Sequence, residues 1–278
     1  MIDKRLRFED SHSFFACPNC QNPLQKVHNS LKCANNHTFD LSKFGYVNLL
    51  GGKKVDDHYS KESFENRQLI LERGYYDHIL DGIHAFLQAH SELGSVLDVG
   101  CGEGFYSRQL IDQLDKDFLA FDISKDSVQI AARSDQSRLV KWFVSDLVHL
   151  PIQKKSIDCI LDIFSPANYG EFKRVLTEQG LLLKVVPTEK HVQELRGKVA
   201  HLLKGDGYSN QKILNHLQES LEIVEEQELT ATLTCSPEER DAFIQMTPLL
   251  FNVNKEAIDF SDVTQITVSA ILIVAKAK

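Results

Sequence analysis

An α/β fold is what this sequence predicts: a mostly parallel seven-stranded sheet of Rossmann-like winding, with a small module ahead of it. Three observations predict it. From Ser95 onward, short and almost unbroken apolar runs alternate with stretches of helical period. The first of those runs leads straight into a glycine-rich turn. Residues 14–50 have a different character, being rich in Cys, Asn and His with no helical period. Apolar strands separated by helices indicate a parallel sheet covered on both faces. With 278 residues, 42% hydrophobic and 25% charged, the chain has room for one large domain and an appendage.

At the N-terminus, Lys4, Arg5 and Arg7 are followed by no apolar run, so a signal peptide is not expected. No stretch approaches the roughly 18 apolar residues of a membrane helix. A membrane is therefore not an expected partner, and the cytoplasm is the default location. That compartment is reducing, so the six cysteines do not read as a disulfide framework. Four residues, Cys17, Cys20, Cys33 and His37, instead follow the spacing C-x2-C-x12-C-x3-H. Tetrahedral Zn²⁺ takes such thiolate and imidazole ligands, and a loop too small for its own core gains folding free energy from the ion. All four positions are filled, which makes the zinc structural. A redox-active C-x-x-C would open a helix in a thioredoxin-like βαβ unit, which is absent here. His12 and His28 lack ligand spacing and read as surface residues.

Gly51, Gly52, Lys53 and Lys54 read as a hinge, closing a zinc-binding module of residues 1–54. A helical linker, 55–92, follows; its apolar spacing from Ser60 to His90 gives two helices broken near Gly74. The large domain spans 93–278. Its candidate strands are Ser95 to Val99, Phe118 to Ile123, Val140 to Val144, Ile157 to Phe164 and Leu181 to Val186. Helices are expected over Phe105 to Leu114, Lys125 to Arg133, Glu171 to Leu176 and Lys190 to Leu203. After Asn210 come a helix, a strand around Leu229 to Leu233, a helix from Pro237 to Gln245 and a strand from Gln265 to Ala275. That last pair of strands suits an antiparallel close. The module carries a charge balance of +4 and the remainder −12, against a net −8. A basic appendage on an acidic body fits an enzyme that holds a phosphate backbone, and also fits plain unevenness of surface charge.

The segment VLDVGCGEGF, Val96 to Phe105, carries the strongest signal for chemistry. Gly100, Gly102 and Gly104 let the backbone pass under a ligand, and the helix start that follows offers free N–H groups. A dinucleotide fingerprint needs its third glycine at 105, where Phe105 stands. The spacing D-x-G-x-G-x-G from Asp98 is that of S-adenosylmethionine-dependent enzymes, whose cofactor carries an ammonium and a sulfonium. Asp98 reads as a support for the loop. Asp122, closing the second strand, suits the ribose hydroxyls, and Asp146, closing the third, suits the adenine amine. Taken singly, each acid is an ordinary solvated strand end; together after successive strands they favour a methyltransferase.

These motifs together resemble the large-subunit 23S rRNA guanine-N1 methyltransferases. The resemblance runs through the zinc module and its tail HTFDLSKFGYVNLL, the linker ending at Tyr76, LDVGCGEGFYS, KVVPTEKHVQELRG at 184–197 and QMTP at 245–248. It departs in an extra stretch before Phe15 and in the charges around LDIFSPAN. What it implies is a class I S-adenosylmethionine-dependent methyltransferase fold whose cofactor contacts include Tyr76, Gly102, Glu103 and His191. It also implies methyl transfer to N1 of a guanine in a hairpin loop of 23S rRNA. Lys26, Lys32, Lys43, Lys53 and Lys54 of the module are expected to provide part of the RNA contact. Guanine N1 carries a proton, and Asp162 and His191 are candidates to accept it. Phe164, Ser165 and Pro166 are the expected wall for the base. A small-molecule (for example quinone-pathway) methyltransferase and a non-catalytic zinc-dependent RNA-binding protein remain as alternatives. Homodimerisation is compatible with the sequence, which shows no clear interface signal.

Overall fold

The computed structural model describes residues 3–51, 61–202, 209–251 and 253–278. After a 3-10 turn at Lys4–Phe8, the N-terminal module comprises α1 (Ser11–Phe14), β1 (Gln25–Val27), β2 (Ser30–Lys32), β3 (Thr38–Asp40) and β4 (Tyr46–Asn48). The next elements are α2 (Lys61–Glu72), α3 (Asp77–Ala89), β5 (Ser95–Val99), α4 (Phe105–Ile111), β6 (Asp117–Asp122), α5 (Lys125–Ser134) and β7 (Lys141–Val144). The chain continues with β8 (Ile157–Ile163), α6 (Tyr169–Val175), β9 (Leu176–Pro187), α7 (Gln193–Val199) and α8 (Gln211–Ser220). It ends with β10 (Leu221–Thr234), α9 (Pro237–Met246) and β11 (Gln265–Ala277).

The main sheet has the order β10-β11-β9-β8-β5-β6-β7-β4. Strand β11 runs antiparallel to β9 and β10, as the sequence suggested, and the other pairings are parallel. The seven expected strands are therefore joined by an eighth, β4, from the tail of the module. Its residues Tyr46, Val47 and Asn48 pair with Trp142, Phe143 and Val144 of β7. Three residues are too short to show a period of two, so nothing local marks them as a strand.

Two apolar layers flank the sheet. Helices α2, α3, α4, α5, α7 and α9 cover one face, with Ile79, Ile83 and Leu87 forming the buried stripe of α3 at a spacing of four. The other face is covered by α6, α8 and, over β6 and β7, by the zinc module itself. Phe8, Phe15, Leu24 and Leu31 pack there with Leu119, Phe121 and Phe143. A parallel sheet needs apolar cover on both faces, and here a small module takes the place of helices.

Several elements differ in extent from their sequence reading. Strand β9 begins at Leu176 instead of Leu181, α4 ends at Ile111 instead of Leu114, and α6 runs from Tyr169 to Val175 instead of Glu171 to Leu176. Helix α7 and strand β10 change most. The helix expected from Lys190 to Leu203 starts only at Gln193 and ends in a 3-10 turn, Ala200–Leu202. Val192 donates its N–H to Thr267 O (2.7 Å) at a φ of 47°, which holds the preceding residues out of the helix. Strand β10 begins at Leu221, ahead of the expected Leu229, because it pairs with β11 from Leu221–Ala277 onward. Its acidic half lies mostly exposed on the sheet edge, where charged side chains deter further pairing. Among the described residues no helix is long and apolar enough to cross a membrane.

Candidate active site and metal centre

The four spaced residues of the module converge. Ligand atoms of Cys17, Cys20, Cys33 and His37 all lie within 4.8 Å of one another. Cys20 Sγ is 3.6 Å from Cys33 Sγ, and His37 Nδ1 is 3.5 Å and 3.4 Å from the sulfurs of Cys17 and Cys33. A tetrahedral zinc with ordinary bond lengths sets its ligand atoms about 3.5–3.8 Å apart. The residues present fit that ion. None of the six cysteines forms a disulfide. His12 and His28 are exposed, in keeping with their reading as surface residues.

At the carboxyl end of β5 the chain turns through three glycines of positive φ. At Gly104, with φ of 76°, a Cβ would meet Trp142 and stand 2.8 Å from Ala131 Cβ. Trp142 cannot swing away, because its Nε1 donates to Asp135 Oδ2 at 2.9 Å. Gly104→Ala should therefore combine left-handed strain of about 1–2 kcal/mol with overpacking of about 1–3 kcal/mol. Thermal melts and cofactor titration should both register the loss; a wild-type melting curve would show that the turn tolerates a side chain.

The turn is tied to its neighbours by acids. Asp122 accepts from Gly102 N (3.0 Å) through Oδ2 and from Ser124 N (2.9 Å) through Oδ1. Asp98 is buried and accepts from Ser107 Oγ (2.7 Å); burial pushes its carboxyl up to about 7 against the pull of Ser107 and Arg67. Asp146, half-buried at the end of β7, accepts from Val148 N at 2.9 Å. Ile123, next to Asp122, leaves 40% of its surface exposed where a flat ring can rest.

Glu103 is the anomaly of the site. It is 1% exposed, and among the described residues neither carboxylate oxygen has a hydrogen-bond partner. Burial raises its pKa, opposed chiefly by Arg67, whose Nε stands 3.8 Å away. The Tyr106 hydroxyl is likewise buried without a partner. Buried polar groups are normally paired, so an orphaned carboxylate beside a glycine turn fits a ligand that brings a cationic donor.

Three rings form a corner, and Ser165, next to one of them, packs against Gly100 of the turn. Tyr76, Phe164 and His191 stand 5.4–6.2 Å apart, centroid to centroid. Phe164 adopts a φ of 52°, a strained conformation for a non-glycine residue. Burial pushes the Tyr76 phenol up to about 12 and His191 down to about 4. His191 Nδ1 accepts from Ser269 N at 3.3 Å, which leaves the proton of the neutral ring on Nε2. Beneath Phe164, Asp162 and Lys184 form a buried ion pair at 2.7 Å, and Lys184 Nζ also donates to Ser165 O (3.2 Å). Burial raises Asp162 to about 6, with Lys184 opposing.

Comparison with known proteins covers both regions of the chain. A zinc-ribbon family model described as RlmA, N-terminal, matches residues 15–54, and a methyltransferase-domain model matches 96–184. A Bacillus subtilis (strain 168) protein, provisionally named a 23S rRNA (guanine-N(1)-)-methyltransferase, is 34% identical over 257 residues, covering 88% of this chain and 90% of that protein. The chain belongs to that family. The 23S rRNA (guanine(748)-N(1))-methyltransferase of Streptomyces fradiae is 28% identical over 240 residues, covering 84% of this chain and 85% of its own. For a member of this family the cofactor is S-adenosylmethionine and the bound metal is zinc.

Three residues of the site escaped the sequence reading: Arg67, Tyr106 and Lys184. Arg67 left a trace, since Phe64, Arg67 and Leu71 share one face of α2 and the flanking two are buried. An arginine within an apolar stripe is there for a partner. Tyr106 and Lys184 look like ordinary members of a helix and a strand. Lys53 and Lys54 lie outside the described residues.

Proposed function

We propose that this chain methylates N1 of a guanine in a hairpin loop of 23S rRNA. The observation that carries the reading is the aromatic corner of Tyr76, Phe164 and His191 standing beside the glycine turn and the orphaned Glu103. S-adenosylmethionine supplies an electrophilic methyl on its sulfonium. The turn at Gly100–Gly104, with Asp98, Asp122, Asp146, Glu103 and Tyr76 around it, holds that cofactor. Phe164, Ser165 and Pro166 wall the base, which must be splayed from its stack to reach the site.

His191 serves this reaction as a donor. With Nδ1 committed to Ser269 N and a pKa pushed down to about 4, the ring is neutral and offers its Nε2–H. Directed at guanine O6, that hydrogen bond stabilises the negative charge that develops as N1 loses its proton. Asp162 has no exposed surface and binds Lys184, so it acts by holding the Phe164–Pro166 turn. The N1 proton then leaves to solvent. Since Asp162 pairs with Lys184 only when ionised, the methylation rate should fall as pH drops through about 6. That limb should vanish in Asp162→Asn and persist in His191→Gln; a limb lost with His191 instead would make the histidine the titrating group.

The module supplies part of the RNA contact. Lys32 and Lys43 are exposed, whereas Lys26 pairs with Glu9 at 2.8 Å. Lys32→Glu with Lys43→Glu should weaken RNA binding and reduce the salt slope by about 2. Unchanged affinity and slope would take these two lysines out of the contact.

The deciding experiment is mapping of the modified nucleotide in RNA from cells with and without the protein, beside transfer of labelled methyl in vitro. An N1-methylguanine that disappears with the protein is the expected result. Label on small acceptors and none on RNA would make it a small-molecule methyltransferase. Cofactor uptake with no transfer would make it an RNA-binding protein.

A further inference from the structure

We propose that Arg67 is the receptor for the cofactor's carboxylate, placed by α2 opposite Glu103 so that the two together grip the amino-acid end of S-adenosylmethionine. The inference rests on the cofactor reading above and adds to it a residue that no motif singled out.

Arg67 and Glu103 are close without being joined. Their nearest approach is 3.8 Å, beyond a hydrogen bond, and the carboxylate behind it is almost fully buried with both oxygens unpartnered. A buried pair repays its desolvation only when the remaining donors and acceptors are satisfied. A zwitterion lying against both groups does this, its ammonium meeting Glu103 and its carboxylate meeting the guanidinium. Arg67 is also aimed at the right place. Its Nη1 stands 3.5 Å from where a Cβ on Gly102 would be, so the guanidinium lies over the turn itself.

The charges around the turn point the same way. Glu103, with both oxygens unpartnered, suits the cofactor's ammonium, but its carboxylate needs a cation. The nearby Arg108 is engaged by Glu72 at 3.5 Å. Arg67 keeps 30% of its side chain exposed, and its planar fork matches a carboxylate in two-point contact. Burial works against the charge on Arg67, yet Glu103, Tyr106, Tyr76 and Asp122 together hold its pKa above the ordinary value. The cation is thus present before any ligand arrives.

The test compares two ligands that differ only at the carboxylate. The full zinc-loaded chain is titrated calorimetrically with S-adenosylmethionine and with its decarboxylated analogue. The wild type should prefer the former by about 10- to 100-fold, the usual range for a charge-assisted hydrogen-bonded contact. Arg67→Gln should lose that preference in a particular way: S-adenosylmethionine weakens, while the analogue binds as well or better because a cation facing its ammonium is gone. Arg67→Lys should keep part of the preference. Equal weakening of both ligands in Arg67→Gln, or equal affinity for both in the wild type, would overturn the assignment while leaving the cofactor site standing. Failure of the wild type to take up either ligand would bring down the cofactor reading and this inference together.

Discussion

Removing the metal from this chain is expected to unfold residues 14–41 and to loosen the main sheet with them. The module has too little core to fold alone, and structural zinc supplies apparent folding free energy of about 10–16 kcal/mol in comparable peptides. That exceeds or equals the whole stability of a typical domain, about 5–15 kcal/mol. The damage spreads because the module is a layer of the fold. Phe15, two residues before Cys17, is fully buried with its ring edge-on to Phe143 of β7 at 5.2 Å. Ala16 N donates to Pro151 O (2.9 Å), Gln153 N to Phe14 O (2.8 Å) and Leu49 N to Val144 O (2.9 Å). Arg7, from the stretch that precedes the module's first strand, meets Asp135 at 3.0 Å, the same carboxylate that holds Trp142. Hydrogen exchange on chelator-treated or Cys33→Ala protein should show residues 14–41 unprotected and β7 weakened, with a lower melting temperature. Should those amides stay protected without metal, zinc is not what folds the module.

Lys184→Met should produce the second large effect. Lys184 and Asp162 are both buried in the middle of the sheet, and removing one partner of such a pair costs about 3–5 kcal/mol because the other charge is left uncompensated. For a chain of this size the melting temperature should fall by about 6–20 °C. The penalty has a pH signature. Asp162, already raised to about 6 by burial, can escape its charge by taking up a proton, so the loss should be smaller at pH 5 than at pH 8. Replacing both residues, Asp162→Leu with Lys184→Met, should recover most of the stability but not the activity. Lys184 Nζ also fixes Ser165 O, and with it the turn that carries Phe164. A double variant as unstable as the single one would mean that packing, and not charge, is what Lys184 contributes.

Several parts of this architecture were readable before any fold was known, for a common reason. The zinc spacing, the glycine turn and the acids closing β6 and β7 are set by distances along the chain. Each depends on a local conformation that its own residues dictate. Helix α9 shows the same locality: Ser236 and Glu239 cap each other's backbone N–H groups, with Pro237 at the first helical position. Where the sequence reading ran short, the missing information was held elsewhere. Nothing between His191 and Val192 announces that the helix starts late; Thr267, on another strand, takes the N–H that would have continued it.

By itself, then, the sequence determined the order of strands and helices from Ser95 onward, the spacing of the four Cys and His residues that converge and the place of the glycine turn, because these follow from spacing and from which backbones only glycine allows. Tertiary structure alone decided that β4 completes the sheet and that the zinc module serves as one of its covering layers. It alone brought Arg67 of α2 to Glu103 of the turn, Lys184 to Asp162 across neighbouring strands, and Ser269 to the ring nitrogen that sets the tautomer of His191. Such contacts join residues tens of positions apart. Burial, rather than sequence distance, makes them strong, since a charge or a ring nitrogen removed from water must find its partner within the fold.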